Sequence, residues 1–312
     1  MSAFVVVNPR SAGGRTAREW RAIERALAHA YPRMSVAFTH RRAEATRLVR
    51  NALREGFHEI VAVGGDGTIN EAVNGFFDKR GPISPDAVFG YVTSGTGGDF
   101  RKSFDVGAGA DAAVAHLRSA AVRPVDVGRV SCLTRDGAPQ VRHFANIASF
   151  GLSGMVVDSV NRAHVAKLFG GGFAFALHSA LDMLAFKDRV VRIMVDGRYD
   201  ETLAISTVAV ANGRFFGGGM HVAPGAALDD GLFDVVIMES APKARMLKDM
   251  KLIYTGEHVA RPNVRVLRGA KVVAVPVAET GGRAVMIETD GESAGRLPAT
   301  FEILPRALNL RS

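Results

Sequence analysis

The sequence of 312 residues contains a single cysteine, Cys132, and lacks several features that would assign the chain to a class. One cysteine cannot form an internal disulfide, so a disulfide-stapled fold is excluded and a cytoplasmic protein is expected. Cys132 lies in an apolar strand pattern, which is typical of a small core residue rather than of a nucleophile. The N-terminus enters the apolar run Phe4–Val7 without a basic leader, so no signal peptide is predicted.

Long hydrophobic runs are also missing. The longest weakly polar stretch, from Leu168 to Leu181, is too short to span a bilayer, and it contains three glycines and His178. We therefore expect a soluble protein or one that lies on a membrane surface.

Acidic residues are scarce at the start of the chain. Residues 1–60 hold 11 Arg and 5 Glu, so they contribute +6 of the net charge of +8. Trp20, Ile23 and Leu27 predict the buried face of a helix. The same helix carries Arg15, Arg18, Arg21 and Arg25. Each arginine alone is typical of a solvated helix face, whereas the group favours contact with an anionic membrane. Apart from Trp20, which is assigned to the buried face, no aromatic residue lies among these arginines. No nucleic-acid-binding motif is present either, so no nucleic-acid partner is expected.

Two well-known phosphate-binding motifs, G-x-x-x-x-G-K-[ST] and G-x-G-x-x-G, are absent, but a glycine-rich block follows the β-branched run Ile60–Val63. Its sequence is Gly64-Gly65-Asp66-Gly67-Thr68-Ile69-Asn70-Glu71. Glycines let backbone N–H groups approach an anion, and the helix that follows adds the positive end of its dipole. Taken alone, the block predicts either a nucleotide phosphate site or simple turn chemistry with a buried cap.

Strands and helices alternate over residues 1–126, which predicts an α/β nucleotide-binding domain with a mostly parallel sheet. Its strands are expected at 4–7, 36–39, 60–63 and 88–92, and its helices at 16–30, 44–54, 70–77 and 111–119. Residues 127–299 predict a larger, antiparallel β-rich domain with a helical insertion near 156–186. Its strands are expected at 127–133, 141–149, 190–195, 203–211, 232–238, 264–267, 271–275 and 285–288, and a last strand at 300–304.

Two more polar blocks follow the first and fourth predicted strands, at residues 8–15 and 93–100. The carboxyl ends of parallel strands meet at one edge of a sheet, so both blocks should gather with the glycine block. Asp66, Asp99 and Asp126 would bring three carboxylates towards the same region. Their charge would repel a nucleotide unless Mg²⁺ is bound there, although Asp126 is nearly as typical of a turn or salt-bridge residue.

The second domain carries three polar blocks, at residues 212–219, 223–234 and 288–292. In the last of them Asp290-Gly291 alone is typical of a hairpin turn. A carboxylate just past such a turn is nevertheless well placed to face a cleft between domains.

These blocks occur in the order found in the diacylglycerol kinase catalytic-domain family, and the chain resembles its soluble bacterial lipid kinases from the first strand to about Leu304. The blocks are Asn8-Pro9, residues 64–71, Gly95-Thr96 before Asp99-Phe100, Ala223-Pro224 before Asp229-Asp230-Gly231-Leu232, and Asp290-Gly291-Glu292. The resemblance implies a two-domain architecture shared with NAD kinases, in which the last strand, at about 300–312, returns to the first domain. It also implies transfer of the γ-phosphoryl group of ATP to a lipid hydroxyl with Mg²⁺.

Carried over residue by residue, the resemblance implies an ATP site, a catalytic Mg²⁺ network and a general base. The residues implied to contact ATP are Asn8, Thr39, Gly65, Asp66, Gly67, Thr68, Ile69, Asn70, Glu71 and Thr96. Asp66, Asp99 and Asp126 would organise the catalytic Mg²⁺ and its waters. Glu292 would take the proton from the lipid hydroxyl, because an alcohol is a poor nucleophile until it is deprotonated.

A second, structural Mg²⁺ is implied at Asp230, with the backbone carbonyls of Ala227 and Leu232 as further ligands. The family usually has asparagine where this chain has Gly98, so water or backbone would replace the lost amide. The apolar stretch 168–186 and the loop 213–220 are candidates for the lipid side of the cleft.

Two alternatives stay open. NAD kinases also use Gly-Gly-Asp-Gly-Thr, although Ile69-Asn70-Glu71 and the Asp-Gly-Glu block favour the lipid kinase. A non-catalytic lipid- or nucleotide-binding regulator on the same fold is the second alternative. The presence of all four implied catalytic carboxylates argues against it, namely Asp66, Asp99, Asp126 and Glu292. The acceptor lipid stays open among diacylglycerol, phosphatidylglycerol, sphingoid bases and other long-chain alcohols. We expect a cytoplasmic protein in peripheral contact with an anionic membrane, and a homodimer also stays open.

Overall fold

The structure is a computed structural model of the chain and describes residues 2–93, 98–103, 110–119, 121–162, 186–277 and 284–311. The chain divides into two compact units. Unit 1 comprises residues 1–127 with 304–312, and unit 2 comprises residues 128–303. The C-terminal segment therefore belongs to the same unit as the N-terminus.

Unit 1 alternates strands and helices. Its strands are β1 (Ser2–Val7), β2 (Arg33–Phe38), β3 (Glu59–Gly64), β4 (Phe77–Asp78), β5 (Gly81–Pro82) and β6 (Val88–Thr93). Its helices are α1 (Ser11–Ala30), α2 (Glu44–Arg54), α3 (Asp66–Gly75), α4 (Asp99–Ser103) and α5 (Ala110–Ser119). Residues 12–14 have positive φ, so the regular part of α1 begins after Gly14.

The four longer strands of unit 1 form a sheet in the order β2–β1–β3–β6, and the three pairings between them are parallel. The last strand of the chain, β16 (Glu292–Arg311), adds a further parallel pairing to β6 through Asn309 and Leu310. The short β4 and β5 pair antiparallel. The strand cores are apolar on both sides because helices cover both faces of such a sheet. One core cluster includes Val5, Val7, Ile23, Leu27, Val61, Val63, Val92 and Leu117.

Unit 2 is rich in antiparallel strands. The strands that enter or lie in it are β7 (Val122–Leu133), β8 (Pro139–Phe144), β9 (Ile147–Gly151), β10 (Arg189–Val195), β11 (Tyr199–Ala211), β12 (Phe233–Glu239), β13 (Val264–Gly269), β14 (Lys271–Pro276), β15 (Met286–Thr289) and the first part of β16. Its helices are α6 (Leu152–Arg162), α7 (Lys243–Thr255) and a 3₁₀ turn at Glu257–Ala260.

The strands of unit 2 follow the order β13–β12–β11–β10–β14–β16, and each neighbouring pair is antiparallel. Strand β9 pairs antiparallel with β11 and β15. The core contains two stacked ring pairs, Phe144 on Phe233 with ring centroids 5.7 Å apart and Phe150 on Phe301 at 6.0 Å. Cys132 is a buried core residue without a disulfide, as predicted, and burial raises the pKa of its thiol.

Several elements differ from the sequence-based expectation, and the short α4, β4 and β5 were not expected. The predicted strand 141–149 is two strands, β8 and β9, which break at Ala145-Asn146 and pair with different partners. Helix α3 begins at Asp66 rather than Asn70, so the glycine turn is shorter than predicted. Helix α7 was not predicted, because it is lysine-rich and has no buried residue to create an apolar period.

Within the described part of the chain, no helix combines the length and the apolar character needed to cross a membrane. Residues 163–185, which hold most of the apolar stretch 168–186, lie outside the described residues.

Candidate active site

The polar residues predicted to contact a nucleotide gather at the carboxyl edge of the parallel sheet in unit 1. Val7 is in register with Phe38 on one side and with Val63 on the other. Asn8 donates its backbone N–H to Val63 O at 2.9 Å, and Thr39 donates to Val7 O at 2.8 Å. Asn8 and Thr39 therefore directly follow two adjacent strands, beside the glycine block that follows the third.

The first two glycines of the block have different physical roles. A Cβ on Gly64 would lie 2.5 Å from Thr68 Oγ1 and 2.6 Å from Thr68 Cβ, so the close approach of α3 to β3 requires glycine there. Asn8 Nδ2 donates to the same Thr68 hydroxyl at 3.0 Å and fixes its position. Gly65 is the N-cap of α3, with φ −98° and ψ −176°, and a Cβ there would meet no atom within 4 Å. Among the described residues, none accounts for glycine at position 65.

Asp66 and Asp99 lie side by side. Asp66 Oδ2 accepts the backbone N–H of Asp99 at 3.2 Å, and Asp66 Oδ1 accepts that of Phe100 at 3.4 Å. The carboxylate thus holds the start of α4 against the start of α3. Gly98, the residue before α4, has φ +81°. Glycine and asparagine are the residues that adopt this conformation most readily, which gives a conformational reason for finding glycine where the family has asparagine.

Asp126 is fully buried in unit 1, and its Oδ1 accepts the backbone N–H of Arg306 at 2.7 Å. This bond ties the end of the first segment to the returning C-terminal strand. The carboxylate therefore has a structural contact, in keeping with the alternative that its sequence position left open.

The remaining residues of the block point in different directions. Ile69 is fully buried in the core, and Asn70 is buried and accepts from Asn74 Nδ2 through its backbone oxygen at 2.9 Å. The two carboxylate oxygens of Glu71 accept the backbone N–H groups of Ala43 at 2.7 Å and Ala45 at 3.1 Å, at the start of α2. Their side chains therefore serve packing and helix capping. Thr96 lies outside the described residues.

In unit 2 the turn between β15 and β16 carries the predicted base. Asp290, with φ +49°, accepts three backbone N–H groups, from Ala145 at 3.1 Å, Asn146 at 3.1 Å and Ile147 at 3.0 Å. This contact explains the break between β8 and β9. Glu292 is half-buried, begins β16 and pairs with Thr289 across the turn.

A second carboxylate supports the same turn and was missed as a functional candidate. Glu288 is buried, and its Oε2 accepts the backbone N–H of Gly291 at 2.8 Å. Its Oε1 accepts the hydroxyl of Ser149, which in turn contacts Ser153 Oγ at 2.8 Å. An acidic residue in an otherwise apolar strand was the available signal.

An arginine from β13 pairs with the loop predicted to hold a structural Mg²⁺. Asp230 Oδ1 accepts the N–H of Leu232 at 3.0 Å, and Asp230 Oδ2 forms an ion pair with Arg268 Nη2. Arg268 Nε also lies 3.1 Å from Asp234 Oδ1. Burial raises the pKa of the Asp234 carboxyl, and the charge of Arg268 offsets part of that rise. The predicted ligand set of Asp230 with Ala227 and Leu232 therefore does not fit a metal in this arrangement. Among the described residues, no group of three His, Cys, Asp or Glu could hold a metal ion.

Two family models match the chain. Residues 2–130 match the diacylglycerol kinase catalytic domain, and residues 146–312 match the YegS C-terminal NAD kinase beta sandwich-like domain.

Curated relatives named diacylglycerol kinase span most of the chain. The one from Staphylococcus carnosus (strain TM300) is 30% identical over 267 residues, which are 84% of this chain and 79% of the relative. The one from Bacillus subtilis (strain 168) is 28% identical over 274 residues, 86% of this chain and 82% of the relative.

Solved structures support the fold. A diacylglycerol kinase from Bacillus anthracis str. Sterne superposes with a TM-score of 0.69 at 19% identity, over 99% of this chain and 96% of that one. Yeast NADH kinase complexed with NADH superposes with a TM-score of 0.50 at 12% identity, over 99% and 82% of the two chains. The family models and the relatives show that the chain belongs to the diacylglycerol kinase catalytic-domain family.

Proposed function

We propose that the protein is an ATP-dependent kinase that transfers the γ-phosphoryl group of ATP to a hydroxyl of a lipid such as diacylglycerol. The observation that carries the proposal is the open space at Gly65, at the N-terminus of α3 and at the carboxyl edge of a parallel sheet. Backbone N–H groups at such a position favour phosphate oxygens. Membership of a kinase family supplies the reaction class.

ATP would lie along the edge formed by Asn8, Thr39 and residues 65–68, with its phosphates at Gly65. The chain after β1 offers a second stretch of accessible backbone, because Ala12, Gly13 and Gly14 all have positive φ and a Cβ on Gly13 would meet no atom within 4 Å. Thr96 stays a proposed ATP contact from the family resemblance.

One catalytic Mg²⁺ would be bound in unit 1. Mg²⁺ is usually bound by one or two carboxylates together with substrate phosphates and water. Asp66 and Asp99 would hold it, since the Asp66 carboxylate lies against the backbone of Asp99. Asp126 would act on its water network from its fixed contact with Arg306. When bound, the ion would neutralise charge on the phosphates during transfer.

Glu292 would act as the general base. As the lipid oxygen forms its bond to the γ-phosphorus and the bond to the β-phosphate oxygen breaks, the hydroxyl proton passes to the Glu292 carboxylate, leaving a lipid phosphate and ADP. Asp290 and Glu288 hold the turn from which Glu292 extends. Positioning and charge neutralisation would account for most of the rate enhancement.

NAD kinase is the second candidate function, because the C-terminal family model and the yeast structure carry that fold. The deciding assay incubates the purified protein with γ-labelled ATP, Mg²⁺ and either dispersed diacylglycerol or NAD. Label in the organic phase is expected. Label in NADP would replace the lipid kinase with the NAD kinase, and ATP binding without transfer to either acceptor would support a non-catalytic regulator.

A paired substitution tests the base. Glu292→Gln should keep ATP affinity and lower transfer by about 100-fold or more, the range typical of removing a general base. The control is Glu257→Gln, an exposed glutamate on the 3₁₀ turn, which should keep full activity. Unchanged turnover in Glu292→Gln would remove Glu292 from this role. The proposed setting is the cytoplasmic side of an anionic membrane, where a long-chain acceptor resides.

A further inference from the structure

Helix α7 leaves an apolar stripe in water. None of its residues is buried. Leu247 is 48% exposed, Met250 38% and Tyr254 52%. Spacings of three and four residues place these side chains on one face of the helix. The other large exposed hydrophobics of the described residues lie on strands or, for Val277, directly after β14. Among the described helices, α7 is therefore where exposed apolar side chains concentrate.

The same helix is strongly basic on its exposed sides. Arg245, Lys248 and Lys251 are exposed, and the helix contains one acidic residue, Asp249. Asp249 Oδ1 lies 3.1 Å from Arg261 Nη2, so its charge is already compensated within the fold.

A groove of about 460 Å³ runs beside the helix and is lined by Ala244, Arg245, Lys248, Arg261, Pro262 and Asn263. Three of these residues are cationic. The groove is therefore complementary to an anionic group.

The helix adjoins the loop 213–220. His221 donates its backbone N–H to Ile253 O at 2.8 Å, near the end of α7. The ring of Phe215 in that loop stacks on His221 with centroids 4.4 Å apart. Within unit 2, α7 therefore adjoins the loop that the sequence nominated for the lipid side.

The arginine-rich helix α1 lacks this combination. Its arginines are exposed, but Ile23 and Leu27 are buried and Trp20 packs edge-on against Phe38 with centroids 5.4 Å apart. Charge without exposed apolar side chains gives attraction to a bilayer but no insertion.

We propose that α7 docks the protein on an anionic lipid bilayer. Leu247, Met250 and Tyr254 enter the boundary between headgroups and acyl chains, and Lys248 and Lys251, on the side of the helix next to Leu247, contact lipid phosphates. This inference deepens the proposed function, since a kinase acting on a membrane lipid has to reach the bilayer surface.

The test measures co-sedimentation of the full chain, without ATP, with vesicles of phosphatidylcholine alone or containing phosphatidylglycerol. The wild type should bind the anionic vesicles and be released by salt. Lys248→Gln/Lys251→Gln should weaken partitioning by about 30-fold, from the attraction of two basic residues near the surface. Leu247→Ser/Tyr254→Ser should weaken it by about tenfold or more, because apolar burial is lost.

Matched controls locate the surface. Val141→Ser removes an equally exposed apolar residue from β8, and Arg18→Gln/Arg21→Gln removes two exposed charges from α1. Both should lose less vesicle binding than the α7 variants do, because neither surface enters the bilayer. Circular dichroism checks that every variant is folded, and an unfolded pair is replaced by Met250→Ser with Lys251→Gln.

The proposal is overturned if the wild type ignores anionic vesicles, if the α1 variant loses binding instead, or if binding persists in the α7 variants. It is also overturned if the full chain binds a nucleic-acid duplex in preference to the anionic vesicles. Kinase activity is assayed separately with a short-chain diacylglycerol in detergent micelles. Transfer retained by the α7 variants there supports docking, whereas vesicle binding without transfer by the wild type removes the kinase proposal alone.

Discussion

The contrast between Gly64 and Gly65 gives the sharpest test of nucleotide binding, because two adjacent glycines should respond differently to the same added methyl group. Gly64 faces Thr68, and Gly65 faces open space. Gly64→Ala should therefore weaken the fold, whereas Gly65→Ala should weaken ATP binding and spare the fold.

The expected stability changes follow from the contacts. In Gly64→Ala the new Cβ would overlap Thr68, and moving Thr68 would disturb the 3.0 Å bond from Asn8. Overpacking together with one disturbed hydrogen bond lowers the free energy of unfolding by about 2–4 kcal/mol. In Gly65→Ala the extended backbone suits alanine. The entropy lost from the unfolded chain stabilises the fold, and the poorer N-cap destabilises it, so the net change should lie within about 1 kcal/mol of zero.

For ATP binding the expected order of the two variants is reversed, and Gly65→Ala should lose more affinity than Gly64→Ala. A methyl group at position 65 would stand where a phosphate approaches the backbone, and each charge-assisted hydrogen bond lost weakens binding by about 1.5–3 kcal/mol. ATP affinity should fall by about 10- to 150-fold in Gly65→Ala.

Thermal unfolding and isothermal titration with Mg²⁺ and ATP measure both quantities on the same preparations. Wild-type ATP affinity in Gly65→Ala would refute a phosphate at this turn. A loss of stability in Gly65→Ala as large as that in Gly64→Ala would show that packing requires glycine at position 65.

Three further predictions concern the loop at Arg268, the start of α4 and the buried tyrosine of unit 1. Arg268→Gln removes the counter-charge of the buried Asp234, so the free energy of unfolding should fall by about 1–3 kcal/mol. EDTA should leave the wild-type melting temperature unchanged, and a lower melting temperature in EDTA would support the structural Mg²⁺ predicted at Asp230. Gly98→Asn should keep phosphoryl transfer because asparagine tolerates positive φ, whereas Gly98→Val should lose it; equal activity in the labelled-ATP assay would contradict this reasoning. Burial, and then the charge of Glu59, raise the pKa of Tyr31 from 10.0 to about 12. The folded state therefore holds the proton more tightly, and stability should fall as pH rises above 10. Tyr31→Phe should flatten that fall in melting temperatures, and an unchanged slope would exclude Tyr31.

The parts of the fold that follow from local pattern were predictable. The runs around Val5 and Val61 are apolar on every residue because both faces of a parallel strand are covered. Helix α1 shows the buried positions Ile23 and Leu27 at helical spacing. The positions of Asn8 and Thr39 at one edge then follow from parallel strands alone.

Contacts between residues distant in sequence were not predictable. Arg268 is 38 positions from Asp230, and no local pattern links an arginine on β13 to that loop. The break between β8 and β9 depends on Asp290, 144 positions from Asn146. No local pattern showed that backbone N–H groups at the start of α2 donate to both carboxylate oxygens of Glu71, which stays a proposed ATP contact.

The Asp-Gly-Glu block shows why a motif residue and a catalytic residue need separate arguments. Asp290 has three backbone N–H groups on its carboxylate and a left-handed backbone, so its contacts account for an aspartate before Gly291. Glu288 secures Gly291 from the other side of the turn. These two carboxylates determine where β16 begins and hence where Glu292 stands. A base must be held within hydrogen-bond reach of its proton to be effective, so this turn gives Asp290 and Glu288 a positioning role in the chemistry proposed for Glu292.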